Sequence, residues 1–242
     1  MQIDYAGLNT DLWTILPELI VTVTSILVIF ADLFTRGRSG DKGRILAGLS
    51  IVGYVVALIV CLLMFDNNSQ YLFGFTLVTP GTESFGRMMV VDNLGLFFRM
   101  LALGTAIVAV LLSTQFIRDR GMALGEYYAV LALVTVGMMV TAGASDLTTI
   151  FVGIELSSIG VYILTGFNRR DKLSNEAAVK YFLLGIFSTA ILVYGMAWLY
   201  GMTGFTNLRQ IGSVVGAVEA NSGVFANGGL LLALFLLIAG LG

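Results

Sequence analysis

The chain has 242 residues, of which 57% are hydrophobic and only 12% are charged, with 13 Lys and Arg against 15 Asp and Glu. A soluble domain would carry about twice that fraction of charged residues, so the composition predicts a protein that lies mainly in the lipid bilayer. Histidine is absent and Cys61 is the one cysteine, which excludes the usual ligand sets of zinc, haem and iron–sulfur clusters, while the net charge of −2 argues against nucleic acid as a partner.

Seven apolar runs organise the chain, and six of them reach the length of about 20 residues that a helix needs to cross a bilayer. These six cover residues 15–34, 45–65, 93–116, 124–144, 147–167 and 177–202. A seventh run begins at Gly228 and continues to Gly242. We therefore expect an all-α, polytopic transmembrane helical bundle with seven spans, the last one incomplete. Residues 1–242 are expected to form a single membrane domain, the N-terminal part of a longer subunit.

Basic residues are distributed unevenly between the loops on the two sides of these spans. The loops on one side contain nine basic residues: Arg36, Arg38, Lys42, Arg44, Arg118, Arg120, Arg169, Arg170 and Lys172. The loops on the other side contain two, Arg87 and Arg209. Lys and Arg near the ends of spans remain in the cytoplasm, so the richer side is expected to be cytoplasmic. The pattern predicts that the N-terminus lies outside, in the periplasm or an equivalent compartment.

Two outer loops have patterns of their own. In the loop over residues 66–92, apolar residues alternate at Phe73, Phe75 and Leu77, Pro80-Gly81 supplies a turn, and an apolar stretch resumes over residues 85–91. This pattern predicts a β-hairpin at the outer surface, with an irregular loop as the alternative. The loop after the sixth span predicts a short surface helix over residues 208–219.

Most ionisable residues of the spans lie close to a span end. Glu18 and Asp32 are near the two ends of the first span, and Glu126 is near the start of the fourth. Arg99 lies about 10 Å inside the third span, a depth from which its long side chain can extend to the membrane surface. We expect all four side chains to reach the interface.

Glu155 is the exception, because it lies about 13 Å from the outer end of its run and is too short to reach either interface. Thr148, Glu155, Ser158, Tyr162 and Thr165 share one helix face and form a polar stripe. An adjoining face carries Gly153, Ser157 and Gly160, a small-residue surface for close helix packing. We favour a protonatable site on a hydrated path, because intramembrane acids mark ion pathways. The alternative is a neutral acid that makes a structural hydrogen bond.

Glu176 and Lys180 open the sixth span and are four residues apart, a spacing that predicts an ion pair on the helix surface. Two interpretations are open for Lys180: it snorkels to the cytoplasm in an ordinary surface pair, or it takes part in proton transfer. Direct pairing with Glu155 would need a bridging water or a tilted helix, because the two residues differ in depth by about 10 Å.

Several segments of the chain resemble one known family. They are Leu16-Pro17-Glu18, Glu126-Tyr127-Tyr128, Gly137-Met138-Met139, Gly153-Ile154-Glu155-Leu156, the stretch Asn175-Glu176-Ala177-Ala178-Val179-Lys180-Tyr181-Phe182, Tyr194-Gly195 and Leu199-Tyr200-Gly201. Together these segments resemble the antiporter-like subunit N, or subunit 2, of respiratory complex I. The resemblance covers the whole chain and is most specific between Glu126 and Gly204.

The resemblance implies a proton-translocating subunit of NADH:quinone oxidoreductase, a multi-pass protein of the bacterial inner membrane or its organellar equivalent. The implied partners are the paralogous subunits L and M and the small membrane subunits A, J and K. No cofactor is expected in this chain; NAD, FMN, the iron–sulfur clusters and quinone are expected in or between partner subunits. Both NADH and ferredoxin remain open as electron donors.

The resemblance also implies residue roles. Glu155 matches the family's mid-membrane glutamate of helix five, and Glu176 and Lys180 match the pair that opens helix six, so these three residues are expected to form a proton relay. In the family, a lysine on a broken seventh helix pairs with that glutamate, and we expect it downstream of Gly242. The alternatives are a subunit of a cation/proton antiporter or of a membrane-bound hydrogenase, or a non-conducting membrane scaffold.

Overall fold

The structure, a computed structural model, describes residues 11–34, 39–65, 71–72, 75–76, 81–122, 124–222 and 228–242. The main helices are α1 (Leu16–Phe34), α2 (Ser39–Phe65), α3 (Asn93–Asp119), α4 (Leu124–Gly143), α5 (Leu147–Thr165), α6 (Lys172–Thr203), α7 (Leu208–Ser222) and α8 (Gly228–Leu241). Four two-residue strands lie between α2 and α3: β1 (Tyr71–Leu72), β2 (Phe75–Thr76), β3 (Glu83–Ser84) and β4 (Met89–Val90).

Helices α1 to α6 are long and apolar enough to cross a membrane, and α8 is a shorter apolar helix of 14 residues. These helices confirm the six long runs read from the sequence. Helix α6 begins at Lys172, before the apolar run starts, because the Asp171 side chain accepts a hydrogen bond from the Leu173 backbone and caps the helix. Hydropathy marks the part of a helix inside lipid, whereas capping residues decide where the helix begins.

The first four helices form a bundle with a shared apolar core. Helix α1 packs on α2 and α4, and α3 packs on the same two helices. Their core includes the fully buried side chains of Val21, Tyr54, Leu103, Tyr128 and Met139. The later helices add to one side in sequence: α5 packs on α4, α6 on α5, and α8 on α6. Helix α5 is therefore held between the bundle and α6.

The small-residue surface predicted on α5 is confirmed at the contact with α4. A Cβ atom added to Gly137 of α4 would meet the Ser157 backbone nitrogen at 2.6 Å, and one added to Gly153 would meet the Thr141 backbone nitrogen at 2.8 Å. The Ser157 hydroxyl lies within 3.3 Å of the Val134 carbonyl oxygen, to which it donates across the contact. Glu155 is about 200° around the helix from Gly153 and Ser157, so close packing on α4 directs it to the opposite side.

The loop between α2 and α3 contains strand pairs, and the turn of the second pair lies after the predicted Pro80-Gly81 turn, of which Pro80 is outside the described residues. Strands β3 and β4 are antiparallel and pair Glu83 with Val90 and Ser84 with Met89. Their turn includes Phe85 and Arg87, both with positive φ, and not Pro80-Gly81. Residues 85–88, the start of the predicted second strand, therefore form a turn. Strands β1 and β2 form a separate antiparallel pair; Phe73, Leu77 and Pro80 lie outside the described residues.

The β3–β4 turn connects the first residues of two later helices, α5 and α7. The Ser145 backbone donates to the Met88 carbonyl at 2.9 Å, and the Asn207 amide donates to the Arg87 carbonyl at 2.8 Å. The Leu208 backbone then donates to the Ser145 carbonyl at 3.0 Å. These bonds hold the start of α5 beside the start of α7, the surface helix that the sequence predicted. Arg36 and Arg38, which contribute to the predicted charge asymmetry, lie outside the described residues.

Candidate functional site

Glu155 lies at the centre of α5, at the ninth of its 19 residues, and is half-buried. Its Oε1 accepts a hydrogen bond of 2.6 Å from the Thr189 hydroxyl on α6. Among the described residues, no lysine or arginine forms an ion pair with this carboxyl. The central acid of the chain is therefore held by one neutral donor from the neighbouring helix.

Sequence reasoning did not identify Thr189. Helices α5 and α6 are consecutive and antiparallel, so a residue later in α5 lies at the same depth as a residue earlier in α6. Tyr162 of α5, for example, contacts Tyr181 and Phe182 of α6. The same antiparallel arrangement brings Glu155 beside Thr189. The sequence contains Thr189, but which residue of α6 lies at the depth of Glu155 could be derived only once the ends of both helices were known.

The polar stripe of α5 borders a cavity of about 310 Å³ between α5, α6 and α8. Ser158 and Tyr162 line it from α5, and Ser188 and Thr189 line it from α6. The cavity has room for several water molecules, each of which occupies about 30 Å³ in the liquid. It therefore places polar side chains and space for water beside the hydroxyl group that contacts Glu155.

The two ends of the predicted stripe are less connected to this cavity. Thr165 donates to the Val161 carbonyl of its own helix, and the Thr148 backbone donates to the Asp146 carboxylate that caps α5. Of the predicted stripe, Ser158 and Tyr162 therefore line the cavity, and Glu155 is connected to it through the Thr189 hydroxyl.

Glu176 and Lys180 form the ion pair that their spacing predicts. Both side chains are exposed, Lys180 at 71% and Glu176 at 58%. Thr189, which marks the depth of Glu155 on α6, lies nine residues after Lys180. That difference is about 13 Å along the helix axis, so Lys180 does not contact Glu155.

Glu18 and Arg99 do not reach the interface, and that prediction is wrong. Arg99 Nε lies 3.0 Å from Glu18 Oε1, and the side chains are 1% and 5% exposed. Arg99 Nη1 also donates to the Thr14 carbonyl at 3.4 Å. The guanidinium lies against Gly143 of α4, where a Cβ atom on residue 143 would clash with it. The side chain of Arg99 turns into the bundle because a carboxylate at similar depth on α1 is available there.

The other acids near span ends are at least partly accessible, as predicted for residues at the interface. Asp32 is 29% exposed and pairs with Lys42 at 3.2 Å. Glu126 is 63% exposed and lies 3.7 Å from Arg169. Within the described part of the chain, no group of three or more histidine, cysteine, aspartate or glutamate residues could hold a metal ion.

Comparison with known proteins gives a consistent family. A family model described as NADH:quinone oxidoreductase/Mrp antiporter, TM, matches residues 144–242. The chain is 41% identical over 245 residues to NADH-quinone oxidoreductase subunit N of Trichlorobacter lovleyi, covering 99% of this chain and 46% of that protein. It is 37% identical over 242 residues to NAD(P)H-quinone oxidoreductase subunit 2 of a Nostoc species, covering 99% of this chain and 43% of that protein.

Solved structures show the same architecture. A chain of respiratory complex I from Thermus thermophilus matches with a TM-score of 0.65 and 27% identity, over 93% of this chain and 43% of that one. A chain of an archaeal membrane-bound sulfane sulfur reductase matches with a TM-score of 0.74 over 94% of this chain and 44% of that one. At 15% identity, the second match shows the fold alone.

The chain spans somewhat less than half the length of the relatives that it matches. Within that span the two matches cover 99% of this chain. The sequence resemblance, the match to the family model and the shared fold agree. The chain therefore belongs to the family of antiporter-like membrane subunits N (subunit 2) of NADH-quinone oxidoreductase.

Proposed function

We propose that the subunit to which this chain belongs moves protons across the membrane within complex I, coupled to quinone reduction in other subunits, and that Glu155 is its mid-membrane proton site. The observation that carries the proposal is the position of Glu155: it lies at the centre of a spanning helix and accepts a hydrogen bond from Thr189, which lines a cavity together with Ser158 and Tyr162. An ionisable group at this depth costs several kcal/mol unless it is paired or hydrated, so a purely apolar packing role is disfavoured.

The surroundings of Glu155 suit a carboxyl group that changes its charge. A neutral hydroxyl can donate to a carboxylate or accept from a carboxylic acid, so Thr189 is compatible with both states. The cavity along Ser158 and Tyr162 supplies space for water that would carry the proton to and from Oε1. The charge of Glu155 would then follow the position of a nearby ammonium group, which the family supplies from a lysine on its seventh helix.

Glu176 and Lys180 are proposed as the cytoplasmic end of the same relay. Their ion pair lies about 13 Å from the depth of Glu155 along α6, and water beside Tyr162 and Tyr181 would have to bridge the interval. Being exposed, the pair is proposed to exchange protons with the cytoplasmic solution.

This chain is proposed to contribute no redox chemistry of its own. NAD, FMN, iron–sulfur clusters and quinone are assigned to partner subunits, and the proposed membrane partners are the paralogues L and M with the small subunits A, J and K. The proposed location is the bacterial inner membrane or its organellar equivalent, with the N-terminus outside.

Proton pumping by the assembled complex tests the role of Glu155. Glu155→Gln keeps the size and a hydrogen-bonding end but removes the proton site, whereas Glu155→Asp keeps the acid and retracts it by one methylene. We expect NADH-driven pumping in vesicles to fall at least about tenfold in the Gln variant, equivalent to about 1.4 kcal/mol, and to survive in part in the Asp variant.

Glu126→Gln is the matched control, because Glu126 is an exposed acid on the adjacent helix α4. It should pump normally. A purely structural Glu155 predicts the reverse order, in which Gln is mild and Asp is worse because of the gap that it leaves. Full pumping by an assembled Glu155→Gln complex would leave the scaffold interpretation standing.

A cation/proton antiporter, or a subunit of a membrane-bound hydrogenase, is the second candidate. It is favoured by the family description, which names Mrp antiporters beside the oxidoreductase. The two functions differ in what crosses the membrane. Sodium efflux from sodium-loaded vesicles, driven by an imposed pH gradient and lost in Glu155→Gln, would support the antiporter; NADH-driven proton uptake without sodium movement supports the oxidoreductase.

A further inference from the structure

Most threonine hydroxyls within the described helices bond to their own helix, whereas that of Thr189 bonds to a neighbouring one. Eight threonines donate to the backbone carbonyl four residues earlier in their own helix, namely Thr22, Thr24, Thr105, Thr114, Thr135, Thr141, Thr165 and Thr203. Thr189 donates instead across the helix contact to the carboxyl of Glu155. Within α6, the carbonyl four residues before Thr189 is that of Gly185.

The choice of acceptor is the one that an ionised carboxylate would favour. Threonine hydroxyls in helices commonly bond to the carbonyl one turn earlier, so that carbonyl is a ready local acceptor. An ionised carboxylate is a stronger acceptor, with hydrogen bonds roughly twice as strong as those between neutral groups. A protonated Glu155 loses that advantage, and the Gly185 carbonyl becomes a competitive partner for the same hydroxyl.

The space around Gly185 is compatible with this exchange. Gly185 has no side chain, and the Tyr162 hydroxyl occupies the place that a Cβ atom would fill. Gly185, Thr189 and Tyr162 all line the cavity beside α8. The Gly185 carbonyl lies one helical turn before Thr189. The proposed change of acceptor therefore needs a rotation of the Thr189 side chain and no movement of α5 or α6.

We propose that Thr189 is a positioning residue that holds Glu155 in place while its carboxylate is ionised and releases it when it takes up a proton from water in the cavity. This inference rests on the proposed function of Glu155 as the proton site. It adds a specific partner: the α6 hydroxyl fixes where the charged carboxylate points, and protonation frees the side chain toward Ser158 and the cavity.

Few other titratable groups face this site among the residues that the structure describes. From α5 and α6 the nearest are Tyr162 and Tyr181 on the cavity wall, and the Glu176–Lys180 pair lies further toward the cytoplasmic end. Helix α8 carries none in its sequence. Helix α4 carries Glu126, Tyr127 and Tyr128 in its first turns, and its central part has no titratable side chain. Among the described residues, Glu155 is therefore the group whose proton exchange an altered Thr189 would affect most directly.

The test compares three substitutions at Thr189 in the full-length subunit within the assembled complex. Thr189→Val removes the hydroxyl and keeps the shape, Thr189→Ala removes it with less bulk, and Thr189→Ser keeps the hydroxyl. We expect Val and Ala to lower NADH-driven pumping several-fold and to alter its pH profile, because the carboxylate of Glu155 loses its hydrogen-bond donor. Serine should restore both.

Thr105→Val is the matched control, because Thr105 bonds to its own helix and is remote from Glu155. Unchanged pumping and an unchanged pH profile in both hydroxyl-free variants would overturn the role of Thr189, as would equal losses in Ser and Val. Neither outcome alters the result of Glu155→Gln. If Glu155→Gln itself pumps normally, the proposed function fails, and the role of Thr189 fails with it.

Discussion

The buried ion pair between Glu18 and Arg99 gives the sharpest prediction about stability. Both side chains are nearly inaccessible, and their closest atoms are 3.0 Å apart. Removing one partner leaves the other as an uncompensated charge inside the bundle, which costs about 3–5 kcal/mol. We therefore expect Arg99→Met and Glu18→Gln each to reduce the free energy of unfolding by that amount.

The double variant separates pairing from packing. With Glu18→Gln and Arg99→Met together, no charge is buried, and neutral replacements of buried pairs are often tolerated. We expect the double variant to be more stable than either single variant, with a coupling energy of at least about 2 kcal/mol, within the range found for directly contacting residues. Denaturant unfolding of the purified protein in mixed micelles measures all three values.

An exposed pair provides the comparison. Arg209 lies 2.9 Å from Glu83 and is 67% exposed, and Glu83 keeps Arg87 as a second partner. Arg209→Met should cost less than about 1 kcal/mol. If Arg99→Met costs no more than Arg209→Met, or if the effects at Glu18 and Arg99 simply add, the buried pair does not hold α1 against α3, and the reasoning is refuted.

Two further predictions concern topology and the cytoplasmic end of the relay. For the topology, a single cysteine is introduced at Met88, in the exposed β3–β4 turn, or at Asp119, at the exposed end of α3. An impermeant thiol reagent added outside should label the cysteine at position 88 and not the one at position 119. The reverse pattern would show that the orientation is inverted. The native Cys61 is buried and should give little background. Lys180→Met should lower NADH-driven pumping measurably, by up to about fivefold, because an exposed pair contributes within about 1 kcal/mol. Pumping equal to that of the wild type would show that Lys180 only snorkels to the membrane surface.

The membrane helices could be predicted from the sequence because lipid imposes a simple requirement on them. Each span must bury about 20 apolar residues in helical form, and that signal is local. The central position of Glu155 and the small-residue surface opposite it follow from helical periodicity in the same way. The early start of α6 could not be read from hydropathy, because it depends on the capping side chain of Asp171.

Features that depend on the approach of separate elements were predicted less well. The side chain of Arg99 points into the bundle because it pairs with the Glu18 carboxylate on α1 and because Gly143 on α4 has no side chain in its way. Its direction therefore depends on residues of three helices. Opposite charges at similar depths on α1 and α3 were the available signal. The turn at Phe85–Met88 was missed because two residues other than glycine adopt positive φ there, a conformation that their side chains do not favour.

The most direct test of the account asks whether Glu155 changes its protonation state during turnover. Infrared difference spectra of the assembled complex, recorded between resting and NADH-driven states, report carboxyl groups that gain or lose a proton. We predict a carboxyl band that disappears in Glu155→Gln, shifts in Thr189→Val and is unchanged in the Glu126→Gln control. A spectrum of Glu155→Gln identical to that of the unaltered complex in the carboxyl region would contradict the claim that Glu155 carries the proton.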